Sequence, residues 1–250
     1  INMNNLAKAY MDKNKMDQAL RVFEEALKLQ TAKLGPDHPS TLTSQNNLAV
    51  VCAKVGKLDK ALPLFEQTLK LRKVKLGPDH PSTLSSMRNL ATVYKKMGKF
   101  DQALSLNEET IELQTEKLGP SHPQTISSME KLAAIHLQLE DYEEAARIYR
   151  KSHELRRQHY PDEWLTFKSA AMLGTVLVRW ERFAEAEPLL VEGIQGMEER
   201  ISKIPPMHRG RVATRIETLI ELYEASEKPE QAAKWREKLA TPSTTEQSEQ

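Results

Sequence analysis

Leu34-Gly35-Pro36-Asp37-His38-Pro39 returns twice more in this chain of 250 residues, at intervals of 42 residues. The second copy is Leu76-Gly77-Pro78-Asp79-His80-Pro81, and the third is Leu118-Gly119-Pro120-Ser121-His122-Pro123. Self-similarity with a period of roughly 20–50 residues is typical of small structural units that stack edge to edge. Such arrays commonly present a long surface to a partner. The repeat therefore favours an array over a single closed globule.

Small apolar residues recur in register within each period and indicate two closely packed helices. A leucine–alanine pair comes first, as in Leu48-Ala49, Leu90-Ala91 and Leu132-Ala133, with Leu6-Ala7 leading the series. A second alanine follows, at positions Ala19, Ala61, Ala103, Ala145, Ala186 and Ala232. Short breaks such as Gly56-Lys57 separate the leucine–alanine pair from the second alanine. Glycine there supplies the left-handed conformation that ends a helix. Each period predicts a helix A, a tight turn and a helix B.

The second repeat shows where these helices should begin and end. We expect helix A from about Pro39 to Val55, since proline is favoured at the first helical position. We expect helix B from about Leu58 to Val74, with an apolar stripe that includes Leu58, Leu62 and Phe65. The leucine-glycine-proline hexamer is the connector, because its proline and glycine continue neither helix. The chain is therefore predicted to be all-α.

Composition narrows the class of partner. The chain has 36 basic and 35 acidic residues and a formal net charge of +1, whereas nucleic-acid-binding domains usually carry a clear basic excess. No apolar run approaches the roughly 18–20 residues that span a bilayer. The N-terminus lacks the pattern of a signal peptide, and the single cysteine, Cys52, fits a reducing compartment. We expect a cytoplasmic chain whose partners are neither nucleic acids nor membranes.

The sequence offers no motif for catalysis. Gly193-Ile194-Gln195-Gly196 falls in a helical stretch and lacks the lysine of a phosphate-binding loop. His38, His80 and His122 recur once per repeat, at a helix spacing of about 10 Å, whereas one zinc ion needs nitrogens about 2 Å away. We expect these histidines to be structural, for example with a ring N–H donating to a connector carbonyl. The prediction is no catalytic site, no metal and no cofactor.

This pattern resembles the tetratricopeptide repeat, in the 42-residue form seen in kinesin light chains and many bacterial multi-repeat proteins. The resemblance is carried by Asn47-Leu48-Ala49, Gly56-Lys57-Leu58-Asp59-Lys60-Ala61 and the connector, with their copies. It implies a right-handed superhelical solenoid over residues 1–240, and it weakens after residue 160. The repeats would span about 1–33, 34–75, 76–117, 118–159 and 160–240, the last holding two degenerate repeats, before a disordered polar tail at 241–250.

In this family helix A lines the concave face of the solenoid, and the resemblance places a peptide groove there. One step before the leucine the first three repeats hold Asn5, Asn47 and Asn89, and related arrays hold asparagines at this position. An asparagine has both a donor and an acceptor, so it can bridge to the backbone of an extended peptide. A second interpretation stays open, in which asparagine recurs only because the repeats are duplicates.

The same face carries basic side chains. The predicted groove includes Lys8, Lys54, Arg88, Lys96 and Lys131, so an acidic or carboxylate-ended peptide is the expected complement. Alternatively, these are solvated charges favoured at helix C-termini. The positions two steps before the leucine, namely Asn4, Asn46, Arg88 and Glu130, are also expected to face the groove. The places of the co-chaperone carboxylate clamp read Asn4, Lys8, Asn47, Ser85 and Asn89, which does not match that clamp.

Three functions remain open at this point. The first is a non-catalytic scaffold that binds an extended segment of a protein partner. The second is the C-terminal regulatory or docking array of a multidomain signalling enzyme, because the stretch 221–235 resembles the ends of bacterial serine/threonine kinases and the chain opens within a repeat, as a segment of a longer protein would. The third is a self-associating structural scaffold. Trp164, Trp180 and Trp235 would fill a capping core or form a second docking site. Partner identity and oligomeric state stay undetermined.

Overall fold

The computed structural model describes residues 3–240, and within that range every regular element is helical. A short 3₁₀ helix spans Ile201–Lys203. The α-helices are α1 (Met3–Asp12), α2 (Met16–Leu34), α3 (Pro39–Lys54), α4 (Leu58–Leu76), α5 (Pro81–Lys96), α6 (Phe100–Leu118), α7 (Pro123–Gln138), α8 (Tyr142–His159), α9 (Trp164–Arg179), α10 (Phe183–Glu198), α11 (Pro206–Ala225) and α12 (Pro229–Ala240). The predicted all-α class is confirmed. The predicted disordered tail lies outside the described residues.

The helix boundaries of the second repeat agree with those expected from its sequence. Helix α3 begins at Pro39 and ends one residue before the predicted Val55, and α4 begins at Leu58 and ends two residues after the predicted Val74. Proline at the first position of α3 costs no hydrogen bond, because that amide would have no partner inside the helix. Pro63 lies in the second turn of α4 without ending it. The prolines and glycines between the helices thus predict where the helices begin and end.

The recurring alanines lie where helices A and B approach each other. All six are fully buried, at positions Ala19, Ala61, Ala103, Ala145, Ala186 and Ala232. Leu48, Leu90, Leu132 and Leu173 are buried as expected, but Leu6 is exposed, since no helix precedes α1 among the described residues. Burial of leucine-sized side chains contributes roughly 1.5–3 kcal/mol each. The apolar residues that recur in each repeat therefore form its hydrophobic core.

The turn from helix A to helix B uses the same backbone conformation in each repeat. Its φ angle is positive at Asn14, Gly56, Gly98, Glu140, Glu181 and Glu227. Only two of these residues are glycine, which adopts this conformation without strain, whereas other L-residues lose roughly 1–2 kcal/mol there. Tertiary packing of the repeat therefore holds the glutamates in a backbone conformation that they do not favour.

The connector histidine caps helix A in a way that differs from our expectation. His38 Nδ1 accepts a hydrogen bond from the Ser40 amide at 3.2 Å, and His80 Nδ1 accepts one from the Ser82 amide at 3.1 Å. His122 bonds the Gln124 amide in the same way at 3.2 Å. The predicted structural role is confirmed, but the predicted ring N–H donor is wrong. The unpaired groups at the start of a helix are amide donors, so the ring has to accept.

The chain divides into two compact halves, residues 1–128 and 129–250, called here the N-terminal and C-terminal halves. In the C-terminal half three glycines bring α9 and α10 unusually close. Gly193 of α10 faces Ala171 of α9, and Gly196 faces the ring of Phe167. Gly193 and Gly196, whose sequence context does not match a phosphate-binding loop, therefore allow α10 to pack closely against α9. Among residues 3–240, no helix is both long and apolar enough to span a membrane.

Candidate functional site

In the N-terminal half the predicted groove residues lie on the solvent side of α1, α3 and α5. Asn5 and Lys8 are exposed on α1, and Lys54 and Lys96 are exposed near the ends of α3 and α5. Asn47 and Asn89 are partly buried, because each directly precedes a leucine that turns into the core. Asn47 and Asn89 therefore lie beside the core, whereas Asn5 is open to solvent.

Two predicted residues on different helices meet in a single cavity. Lys8 of α1 and Asn47 of α3 line a depression of about 170 Å³ together with Met11, Asp12 and Val50. Lysine and asparagine supply polar donors, while methionine and valine supply an apolar floor. Ligand sites commonly combine a mainly apolar surface with a few convergent polar groups. This cavity is the candidate site of the N-terminal half.

Our sequence prediction did not include Met11 and Asp12. Asp12 stands six residues after Leu6, the position that Lys54 and Lys96 occupy after their own leucines. Aligning the repeats on that column would have identified it. Its carboxylate places a negative charge beside Lys8, so the cavity is less basic than we expected.

The amide nitrogen of Asn47 has an unusual environment. Asn47 Nδ2 is buried and has no hydrogen-bond partner within the described structure. A buried donor that lacks an acceptor costs about 1–3 kcal/mol, so most such groups are paired. A ligand carbonyl that reached this nitrogen would remove that cost.

The lysine at the end of α5 supports the alternative interpretation of the basic positions. Lys96 Nζ donates to the backbone oxygen of Ala53, near the end of α3, at 3.3 Å. Cations are favoured at helix C-termini, where backbone carbonyls lack partners. Lys96 therefore has a structural contact, although its side chain remains exposed.

Arg88 is less accessible than the lysines. Its side chain is partly exposed on α5, and burial lowers the pKa of its guanidinium from the usual value. A half-buried arginine loses less side-chain freedom on binding than an exposed lysine.

Three of the four residues two steps before the leucine do not face a groove, which corrects our expectation for Asn4, Asn46 and Glu130, whereas the fourth, Arg88, is partly exposed. The first three are buried. Ser44 Oγ donates to Asn4 Oδ1 at 2.8 Å, and Ser86 Oγ donates to Asn46 Oδ1 at 3.2 Å. In each case the serine belongs to the next helix A, so this helix edge packs against the following repeat. These polar residues join one repeat to the next.

The C-terminal half contains Lys131, the last predicted groove residue, exposed on α7. Its neighbour Glu130 is buried and accepts hydrogen bonds from Arg156 Nε at 2.7 Å and Lys168 Nζ at 2.8 Å. The two cations join α8 and α9 to α7. Buried carboxylates need such partners because desolvation of an unpaired charge is costly.

The described residues give no indication of metal or thiol chemistry. Residues 3–240 contain no cluster of three or more histidine, cysteine, aspartate or glutamate side chains that could hold a metal ion. Cys52 is buried in the core, and this burial raises the pKa of its thiol above the usual value. Reactive cysteines instead show a depressed pKa and an exposed sulfur.

Known structures share this architecture. A putative kinesin light chain with tetratricopeptide-like repeats from Podosopora anserina is 24% identical, with a TM-score of 0.72 over 79% of this chain and 94% of that one. BtubC (BKLC) from P. vanneervenii is 20% identical, with a TM-score of 0.71 over 81% of each chain. A tetratricopeptide repeat protein from Parabacteroides merdae is 20% identical, with a TM-score of 0.64 over 96% of this chain and 78% of that one. At these identities the likeness concerns the fold alone.

Sequence comparison gives the family. No curated protein matches the chain. The family model of the tetratricopeptide repeat matches residues 1–73, 42–116 and 89–158, and so more than half of the chain. With the helix pairs, the buried alanines and the recurrent turn, this match is decisive. The chain belongs to the tetratricopeptide repeat family.

Proposed function

We propose that this chain is a protein–protein interaction scaffold that binds an extended segment of a partner on its helix A surfaces, around Asn5, Asn47 and Asn89. The observation that carries the proposal is the cavity between α1 and α3, which brings Lys8 and Asn47 together over an apolar floor. Arrays of such repeats commonly act through long binding surfaces.

The asparagines would bind the partner's backbone. An asparagine amide offers a donor and an acceptor, which match the N–H and C=O groups of an extended chain. Asn47 Nδ2 has no partner in the described structure, so a peptide carbonyl would satisfy a donor that is otherwise unpaired. Backbone recognition of this kind leaves side-chain selectivity to the neighbouring surface.

Charge would set the orientation of the bound segment. Lys54 and Lys96 are exposed on α3 and α5, whereas Asp12 lies in the cavity beside Lys8. An acidic residue of the partner would therefore lie near the two lysines rather than beside Asp12. Because these charges are exposed, their contribution should be modest and sensitive to salt.

The test is capture of partners from native lysate by the wild type and by the triple variant Asn5→Ala, Asn47→Ala, Asn89→Ala. The matched control is Gln18→Ala with Gln102→Ala, which removes exposed amides from α2 and α6. Proteins lost with the triple variant and retained with the control are then titrated directly as overlapping peptides. We expect binding of one such peptide to weaken at least about tenfold in the triple variant. Equal binding by both variants would contradict the asparagine site.

We propose as the alternative that the array is the docking or regulatory region of a larger signalling enzyme, such as a bacterial serine/threonine kinase. The support is the sequence of α11 and α12 around Tyr223 and Trp235. The size and phosphotransfer activity of the native polypeptide distinguish this proposal from an independent scaffold. A native protein about as long as this chain, without such activity, would rule it out.

We also propose a cytoplasmic location. The chain's one cysteine is a buried core residue, which suits a compartment where thiols stay reduced. Fractionation of native cells with an antibody against the chain tests this, and recovery in a secreted fraction would contradict it.

A further inference from the structure

The C-terminal half has an uneven distribution of charge on its helix A surfaces. Helix α9 contains no acidic residue, and its charged residues are Lys168 and Arg179. Buried Glu130 accepts hydrogen bonds from both Arg156 and Lys168. One of these two cations balances the carboxylate, so the group keeps an excess of one positive charge. Arg156 Nη1 is also buried and has no hydrogen-bond partner within the described residues.

Helix α11 adds two arginines next to this group. Arg215 Nη1 donates to Thr175 Oγ1 at 2.8 Å and so joins α11 to α9. Burial lowers the pKa of the Arg215 guanidinium, nearby Tyr149 acts in the opposite direction, and the positive charge of Arg211 contributes a smaller lowering. Within residues 3–240 neither arginine forms an ion pair with a carboxylate. Two guanidinium groups therefore remain uncompensated beside Lys168.

A contact between Trp164 and His208 holds α9 and α11 together near these cations. The His208 ring stacks on Trp164 of α9 with a centroid distance of 5.9 Å. Burial lowers the pKa of His208, and the charges of Arg211 and Lys168 lower it further. Lys168 follows Trp164 by one turn of α9, and Arg211 follows His208 by one turn of α11, so both cations lie between this stacking contact and the Arg215–Thr175 hydrogen bond. Arg211 is exposed and therefore accessible to a ligand.

We propose that Lys168, Arg211 and Arg215, called here the cationic cluster, bind a phosphorylated serine or threonine side chain of a protein partner. A phosphoryl group carries roughly −1.5 to −2 charges near neutral pH and three acceptor oxygens. A phosphoryl group would balance most of the excess positive charge of the cationic cluster. A carboxylate, with one negative charge, would balance less of it. Arginine is favoured at such sites because its planar fork donates two parallel hydrogen bonds to an oxyanion.

This site is separate from the peptide site proposed for the N-terminal half. The cationic cluster lies on α9 and α11, and the cavity with Lys8 and Asn47 lies on α1 and α3. Failure of one site to bind therefore leaves the other unaffected, and each is tested with its own variants.

The probes are three pools of short peptides with random flanking residues and a central phosphoserine, serine or glutamate. Each pool is titrated into the isotope-labelled chain, and the NMR shifts of the Arg211 and Arg215 side chains are followed. The main variant is Arg211→Gln, since Arg211 is exposed. The control is Arg179→Gln, which removes an exposed arginine from the last turn of α9. Arg211→Lys keeps the charge but removes the fork.

We expect the phosphoserine pool to bind at least about tenfold more tightly than the other two pools. Arg211→Gln should weaken this binding about tenfold, Arg211→Lys less, and Arg179→Gln less than twofold. Equal binding of the glutamate pool, or an equal effect of Arg179→Gln, would overturn the proposal. Inorganic phosphate is the last arm. If it shifts the arginine resonances as tightly as the phosphoserine pool does, the site takes a free anion and the protein partner is wrong.

Discussion

Gly193 and Ala171 lie so close that a methyl group on Gly193 would stand 2.6 Å from Ala171 Cβ. It would also lie 2.7 Å from the backbone oxygen of Phe167, well inside the contact distance of about 3.5 Å. One turn further on, the Phe167 ring covers Gly196, and the Arg200 guanidinium lies 4.3 Å from the ring centroid. Helices α9 and α10 therefore pack through their backbones, and only glycine fits at these positions.

Gly193→Ala should destabilise the C-terminal half by about 1–3 kcal/mol, because backbone atoms cannot move aside for the new methyl group. Gly210→Ala is the matched control, since nothing lies within 4 Å there and alanine is the better helix former by up to about 1 kcal/mol. All three tryptophans lie at or after residue 164, so urea unfolding followed by tryptophan fluorescence reports on this half. Equal effects of the two substitutions would contradict the close contact.

The glutamates at the turn between helices A and B give a second prediction. Glu181 is exposed and has a φ of 58°, so Glu181→Gly removes a left-handed conformation that costs a non-glycine residue roughly 1–2 kcal/mol. Glycine loses more conformational entropy on folding than glutamate, and this offsets part of the gain. We therefore expect the free energy of unfolding to rise by about 0.5–1 kcal/mol. The control, Gln195→Gly at an exposed position within α10, should instead destabilise by about 1 kcal/mol. A loss of stability at both positions would show that the turn carries no strain.

The connector histidine gives a third prediction. His80→Ala removes the acceptor that caps α5 and should lower the free energy of unfolding by about 1 kcal/mol. His80→Asn keeps a side-chain acceptor at this position, so most of that stability should remain. Hydrogen exchange at the Ser82 amide, the donor of the cap, measures the effect locally. An asparagine variant as unstable as the alanine variant would mean that the ring acts by packing.

His153 gives a prediction about pH. It is buried, its Nδ1 lies 3.0 Å from Ser169 Oγ, and burial lowers its pKa below the usual value. Between that lowered pKa and the unfolded value of about 6.5, the unfolded chain binds more protons. Stability should therefore fall as the pH drops below about 6.5, and it should be unaffected by this group above that value.

The measurement for His153 compares urea unfolding between about pH 7.5 and about pH 5.5 in the wild type and in His153→Asn. The variant should lose stability less steeply on acidification. His208, whose pKa is also lowered chiefly by burial, contributes in the same direction, so the double variant should be flatter still. The same pH slope in all three proteins would place the acid sensitivity elsewhere.

Most of the helical architecture could be predicted from the sequence, because the residues that begin and end its helices have known conformational preferences. Pro39 and Leu58 begin helices, and Gly56 ends one, for reasons that act within a few residues. The period then transfers these boundaries to the other repeats. The left-handed Glu140 and Glu181 show that the turn persists where the glycine does not.

The candidate site could be predicted only in part. Register alone placed Lys8, two residues after Leu6, and Asn47, one residue before Leu48, on the same face of consecutive helices A, and they do line one cavity. The burial of Asn46 could not be predicted in this way. The pattern of one helix shows which face is apolar, but it does not show that a polar edge meets Ser86 of the next repeat. Polar contacts between repeats depend on packing that hydrophobic periodicity does not encode.

The bonds between consecutive helices A also bear on how the length of the array could change. Asn4 pairs with Ser44 and Asn46 pairs with Ser86, so both pairs use the same positions one period apart. Loss of one whole period between them would bring Ser86 to the place of Ser44 and re-form the bond with Asn4. The buried carboxylate of Glu130 instead pairs with Arg156 of α8 and Lys168 of α9. Deletion of one period would thus leave the early repeats joined by the same hydrogen bond, whereas a deletion that removed Arg156 or Lys168 would take a partner from a buried carboxylate.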